Sequence, residues 1–301
     1  SMYKKILVPL DGSKFAESAL PLALTLSRKT GAVVHLVTVL EPIPSFAYAE
    51  WESTAKEWSE EYLRNVLERV SPSAGGAVTT SLKTGHVVDI LEQEAEAENA
   101  DLVVMATHGH GILSRMWLGS VADAFLHHSD RPVVLVRPPE ENQPEIDHPQ
   151  DFRAILVPLD GSELSESALS HASEFGEMFD AAYHLTRVVS YPIDIASPYL
   201  PHTVQMNHQF VEETKEGYAD YLEERAERMR RRGLQVTTSV FVGAQAAHGI
   251  LQETDAVGCD LIAMATHGRE GLGRAILGSV TDKVVRGSHV PLLIYRHPIS
   301  E

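Results

Sequence analysis

Two kinds of segment in this chain carry residues able to hold an anion or a sugar, and each occurs twice. Residues 6–13 read ILVPLDGS, and residues 155–162 repeat them letter for letter. MATHG stands at 105–109 and again at 264–268; LGSV stands at 118–121 and again at 277–280. In each copy the last two segments belong to one loop. It runs Ala106, Thr107, His108, Gly109, nine residues, then Gly119, Ser120 and Val121; the second runs Ala265, Thr266, His267, Gly268, nine residues, then Gly278, Ser279 and Val280. A glycine loop that feeds a helix turns backbone N–H groups towards one point, where the helix dipole adds partial positive charge. This is chemistry for a phosphate. The serine at the helix start either donates to a phosphate oxygen or caps its own helix. Asp11 and Asp160 offer a carboxylate that accepts either from sugar hydroxyls or from the backbone of its own Asp-Gly turn. Arg115 and Arg274 hold equivalent places in the spacers, suited to a phosphate chain or to a neighbouring surface carboxylate.

Other chemistry is missing. There is no G-x-x-x-x-G-K-[ST] loop, no G-x-G-x-x-G, no G-x-S-x-G elbow and no H-E-x-x-H. His108, His110, His127 and His128 invite a metal reading, but Arg269 replaces His110 in the second copy and the histidine pair has no counterpart. Among 15 histidines such neighbours arise by chance, so no metal site is expected. No nucleophile and base recur together, so no catalytic residue is assigned. His35 and His184 recur inside a strand pattern and are expected to be structural. Glu17 and Glu166, in the repeated ESAL, are expected on the first helix of each copy, facing solvent or capping a neighbour.

The elements that must position these residues follow from periodicity. Short apolar runs predict strands over 3–9, 33–40, 77–84, 101–106 and 132–136, with helical spacing over 14–29, 51–70, 87–98 and 120–128. The second copy follows suit, with strands near 153–158, 182–189, 234–242, 260–265 and 291–296 and helices near 163–179, 207–232, 246–257 and 279–287. Alternating strand and helix means α/β architecture: two tandem five-stranded, parallel, doubly wound domains. They span 2–138 and 151–299, joined by a Pro-rich acidic linker at 139–150. Such sheets bind ligands at the carboxyl ends of their strands, where both repeated motifs fall.

Bulk composition narrows the partners. Of a net charge of −17, residues 1–150 carry 12 basic against 21 acidic side chains, and residues 151–301 carry 13 against 21. Neither half suits a nucleic-acid backbone. The basic run Arg228–Arg232 follows Glu223, Glu224 and Glu227 at helical spacing and reads as a solvated face. No apolar run is long enough for a membrane. With no leader pattern and with Cys259 as the only cysteine, a reducing, cytoplasmic location is expected.

From strand one to the last strand of both halves, the chain resembles a tandem universal stress protein. The nucleotide-binding branch of that family carries G-x2-G-x9-G-[ST] after its fourth strand. Gly109, Gly119 and Ser120 match its last three positions, as do Gly268, Gly278 and Ser279. Alanine (Ala106, Ala265) replaces the first glycine in both copies, adding a Cβ and disfavouring positive φ. The resemblance implies a Rossmann-like, adenine nucleotide alpha hydrolase-like fold and one adenine-nucleotide site per domain. It implies Pro9 and Pro158 beside the ribose, Asp11 and Asp160 by the adenosine, and the backbones of Val39 and Val188 at the adenine edge. Phosphates would lie against Ala106, His108, Gly109, Arg115, Gly119, Ser120 and Val121, and in the second copy against Ala265, His267, Gly268, Arg274, Gly278, Ser279 and Val280. The implied ligand is ATP, with Mg2+ held through its phosphates, in a stress-response protein that changes with occupancy. Alternatives are slow ATP hydrolysis or autophosphorylation on Ser120, Ser279, Thr107 or Thr266, and a nucleotide-free interaction scaffold. The last strands of the two halves are expected to pair as an intramolecular pseudo-dimer, with a homodimer open.

Overall fold

The computed structural model describes residues 3–42, 49–107, 118–139, 145–190, 201–267, 269–270, 274–275 and 277–297. The chain divides into two compact units. Unit 1 holds Ser1–Asp151, His267–Leu277 and Pro291–Glu301; unit 2 holds Phe152–Thr266 and Gly278–Val290.

In unit 1, β1 (Lys5–Pro9), α1 (Leu20–Thr30), β2 (Val33–Leu40), α2 (Ala49–Val70), β3 (Val78–Thr84), α3 (Val87–Ala97), β4 (Leu102–Ala106), α4 (Ser120–His128) and β5 (Val133–Val136) follow in turn. The five strands are parallel in the order β3-β2-β1-β4-β5. Unit 2 repeats the pattern with β6 (Ala154–Pro158), α5 (Glu163–Glu177), β7 (Ala182–Ser190), α6 (Pro201–Arg230), β8 (Val236–Gly243), α7 (Ala246–Val257), β9 (Leu261–His267) and α8 (Ser279–Gly287). Its strands run parallel in the order β9-β6-β7-β8. Two short strands, β10 (Arg269–Glu270) and β11 (Arg274–Ala275), pair antiparallel in unit 1. The last strand, β12 (Leu292–His297), also joins unit 1, antiparallel to β5, with Leu292 opposite Leu135 and Ile294 opposite Val133.

Parallel strands need crossover helices, which cover both faces of the sheet, so central strands are apolar throughout. Ile6, Leu7 and Val8 of β1 and Val103 and Val104 of β4 are fully buried, as are Ile155, Leu156 and Val157 of β6. The repeated histidines are anchored in that sheet. His35 Nδ1 lies 2.7 Å from Thr79 Oγ1 and Nε2 2.9 Å from Glu94. His184 meets Thr237 Oγ1 at 2.7 Å and Ser239 Oγ at 2.8 Å. The donor atoms of His35, Glu94 and Glu98 lie close enough to share an ion. The chain's own ammonium groups already answer those carboxylates, Lys5 on Glu98 at 2.5 Å and Lys83 on Glu94 at 3.3 Å.

Several boundaries differ from the periodic pattern. The helix expected from residue 14 starts at Leu20, after a 3-10 turn over Ala16–Ala19. Ser13 Oγ accepts from the Ala16 amide at 3.1 Å, and Pro21 then sits in the first α turn, where a missing N–H costs nothing. The sixth helix starts at Pro201, before the expected 207, because residues 201–206 carry no apolar stripe to mark them. The β10–β11 pair was not expected, since strands of two residues leave no period in the sequence.

Glu17 and Glu166 are part-exposed and each is held by side chains of a later helix. Glu17 accepts from the Tyr62 hydroxyl at 3.0 Å and from Arg69 at 2.9 Å; Glu166 accepts from Tyr221 and Arg225, both at 2.8 Å. These pairs clamp α2 and α6 to the start of each unit. The basic run on α6 is answered as expected: Arg228 by Glu224, Arg231 by Glu227, Arg230 by Glu223 and Arg232 by Glu177.

Burial pushes the His171 imidazole on α5 down to about 4. The unfolded chain, with a histidine near ~6.5, therefore takes up its proton first as pH falls. Stability from this site should be intact above about pH 6.5 and be lost as pH drops towards the folded value. Melting temperatures at neutral and mildly acid pH should diverge in the parent and diverge less in His171→Gln. Equal slopes in the two proteins would show that His171 titrates normally.

Candidate functional site

The turn that follows β1 is built identically in both units. Asp11 Oδ1 accepts from the Ser13 amide at 2.9 Å and from the Ser13 hydroxyl at 2.5 Å; Asp160 does the same with Ser162. Burial opposes ionisation of Asp160, yet the Ser162 hydroxyl and amide hold its carboxyl below the usual range. The intervening glycines adopt left-handed φ, +82° at Gly12 and +88° at Gly161. The turn thus uses one carboxylate oxygen for its own backbone and still presents Asp11 at the rim of a cavity.

That cavity, of about 180 Å3, lies at the carboxyl ends of β1, β2 and β4. Pro9 and Asp11 come from β1 and its turn, Val39 from β2, Ala106 from the end of β4, and Gly119, Ser120 and Val121 from the start of α4. Seven residues singled out from the sequence therefore meet in one place. The sequence reading missed the apolar floor, formed by Val37, Val87, Leu91 and Met105. Val37 was within reach of it, being two residues before Val39 and on the same face of the strand.

The start of α4 carries no side-chain cap. Gly119 is the N-cap of α4 and no side chain caps it; Gly278 stands likewise before α8. By contrast, Ser162 caps α5 by accepting from the Ser165 amide. Ser120 and Ser279 are the first helical residues, so neither hydroxyl serves as a cap. The first-turn N–H groups of α4 lack intrahelical partners and open on the cavity. Gly119 and Gly278 have ordinary φ, −62° and −59°, so they supply a bare Cα rather than unusual backbone. The Gly119 amide donates to the Thr107 carbonyl at 2.7 Å, tying the ends of the loop together.

Ala106 lies within β4 and Ala265 within β9. Among the described non-glycine residues only Asn99 and Asp180 have positive φ. Alanine at the first motif position is therefore unstrained, and what it adds is one methyl group in the cavity wall.

In the second copy Pro158 ends β6, Asp160 opens the turn, Val188 lies in β7, and Gly278, Ser279 and Val280 begin α8. The Leu159 amide bonds the Thr186 carbonyl at 2.8 Å, as Leu10 bonds Val37. His267 ends β9 and Arg274 opens β11. His108, Gly109, Arg115 and Gly268 lie outside the described residues.

The model of the universal stress protein family matches residues 2–137 and 151–296. A universal stress protein of Mycolicibacterium smegmatis is 27% identical over 97% of this chain and 96% of its own length. One from Methanocaldococcus jannaschii is 29% identical over 50% of this chain and 85% of its own. Among solved structures, a universal stress protein from Archaeoglobus fulgidus superposes with a TM-score of 0.73, at 19% identity, covering 97% of this chain and 98% of that one. At that identity the likeness speaks for the fold. Among the described residues no helix is long and apolar enough to cross a membrane.

A Cβ at Gly12 would stand 2.9 Å from the Trp58 ring, whereas one at Gly31, also at positive φ, would meet nothing. Gly31→Ala should cost about 1–2 kcal/mol through φ alone, and Gly12→Ala more, because the ring must also move. Urea denaturation of both variants measures the difference; equal losses would mean that the Trp58 contact carries no weight.

Proposed function

This chain belongs to the universal stress protein family, and from that premise we propose that it binds ATP, as Mg-ATP, at one site per repeat and acts as a nucleotide-responsive stress protein. The observation that carries this reading is the cavity that joins Asp11, Val39 and the start of α4, a helix without a side-chain cap. The residues present fit the ligand. An apolar floor of Val37, Leu91 and Met105 suits a base, with Val39 beside it. The Asp11 carboxylate can accept from ribose hydroxyls. The first-turn amides of α4 and the Ser120 hydroxyl can donate to phosphate oxygens, with the helix dipole favouring the charge. Mg2+ would be held through the phosphates. Pro158, Asp160, Val188, Gly278, Ser279 and Val280 would serve the second repeat in the same roles.

Binding is favoured over turnover. Asp11 is the sole ionisable group among the described lining residues, and its Oδ1 is engaged by Ser13. Of the four hydroxyls that could accept a phosphoryl group, those of Thr107 and Thr266 belong to buried residues, 3% and 2% exposed. The case for a nucleotide-free scaffold rested on alanine at the first motif position, and the unstrained φ of Ala106 and Ala265 removes its backbone argument.

Calorimetric titration of nucleotide-stripped protein with Mg-ATP tests the proposal, alongside Gly119→Val combined with Gly278→Val. Valine is compatible with φ near −60°, so the variant should fold and melt like the parent while blocking both helix starts. Micromolar binding near two equivalents, lost in the variant, is the expected outcome. No heat and no thermal shift with ATP, ADP or AMP would overturn it.

A further inference from the structure

Beside the cavity already described, and sharing only Asp11 and Val39 with it, unit 1 contains a second chamber of about 670 Å3. Along β2, Val37 lines the first cavity, Thr38 and Leu40 line the chamber under α2, and Val39 lines both. Three rings form part of its wall: Trp51, Trp58 and Tyr62. Trp58 and Tyr62 stack in near-parallel planes, 6.0 Å between centroids, and Tyr62 is held there by its bond to Glu17. Trp51 and Trp58 are 68% and 57% exposed, an unusual state for indoles on one helix face. The chamber's lining includes one carboxylate, Asp11, and no lysine or arginine. Thr38 lines it, and its buried hydroxyl has no hydrogen-bond partner. A buried polar atom left unsatisfied calls for a partner.

The second repeat shows what fits such a place. His35-Leu36-Val37-Thr38-Val39 corresponds to His184-Leu185-Thr186-Arg187-Val188, in the same register beside β1 and β6. Arg187 therefore replaces Thr38. Its guanidinium stacks 3.6 Å from the centre of the Tyr218 ring on α6 and lies against Gly161 of the Asp-Gly turn, within 3.0 Å of where a Cβ would stand. Unit 2 thus fills the space under its helix with a planar cation of its own, on an aromatic face. In unit 1 the Trp58 indole edge takes that place over Gly12, and the chamber lies open beside the indole.

From this we infer that the unit 1 chamber is a binding site for a small planar cation, a guanidinium or amidinium compound stacked on Trp58. The N–H groups of such a ligand meet Asp11 and the Thr38 hydroxyl, and its charge is favoured by the aromatic wall. A lysine-type ammonium has the charge without the plane. The site adjoins the nucleotide cavity, with Asp11 and Val39 in both walls, and its assignment does not rest on the nucleotide reading.

Tryptophan fluorescence of the full chain, titrated with benzamidinium, arginine and lysine, tests this. Saturable quenching by the two planar cations is expected, with lysine weaker by about tenfold or more, and Thr38→Arg should abolish it while the melting temperature stays parental. Calorimetry on Arg187→Thr should show additional benzamidinium binding. If Thr38→Arg lowers the melting temperature, Thr38→Val, which keeps the shape and deletes the hydroxyl, takes its place with an expected weakening of about threefold or more. No saturable quenching in the parent, an equal response to lysine, or parental binding in the threonine variants would each overturn the assignment.

Discussion

An aspartate that bonds the amide and hydroxyl of the serine two residues on sets the geometry of both units. The turn it makes requires glycine in the left-handed region, and that bare glycine is what lets a helix lie close overhead. In unit 1 the Trp58 ring of α2 rests on Gly12; in unit 2 the Arg187 guanidinium, backed by α6, rests on Gly161. The same turn carries Asp11 to the junction of two cavities and starts the chain towards Glu17, whose carboxylate holds Tyr62 and Arg69 of α2. Were the turn relaxed, the strand end, the helix above it and the rim of the cleft would lose their common reference point.

Duplication has kept this frame and changed what lies against it. The strand-two histidines keep a threonine on Nδ1, the glutamate–tyrosine bonds recur, and α4 and α8 both start from a glycine without a side-chain cap. Differences gather at the edges: Thr38 against Arg187, a 3-10 turn against a serine-capped α5, and an extended α6. The inner faces are fixed by close packing, where a changed volume is felt at once. The rim above the strand ends tolerates change, so two copies can come to differ in what they hold while folding alike.

How much of this was legible beforehand follows from the range of each signal. Strands such as β1 and β4 announce themselves because both faces are buried and every residue is apolar. The meeting of Pro9, Asp11, Val39, Ala106 and Gly119 was legible because parallel topology gathers all carboxyl ends on one side. The late start of α1 was hidden, since the hydroxyl of Ser13 and the ring of Pro21 decide it and neither disturbs the apolar spacing. The partners of Glu17 were hidden because they stand more than forty residues away on α2, where no local pattern points. The floor residues Val87 and Leu91 carried only a helix pattern over 87–98, which says nothing of a cavity until α3 is placed beside the strand ends. The chamber under α2 was invisible for the same reason: Trp51 and Trp58 read as part of an amphipathic helix.

The place of β12 has a consequence for the newly made chain. Its residues pair with β5, whose own residues leave the ribosome some 160 positions earlier. Until then β5, four aliphatic residues in a row, presents an open edge of unpaired backbone groups, the kind that other strands can join. Synthesis at about 5–20 residues per second makes that interval of the order of ten seconds. The first repeat therefore emerges with its sheet unfinished, and protecting that edge during translation falls to whatever accompanies the nascent chain.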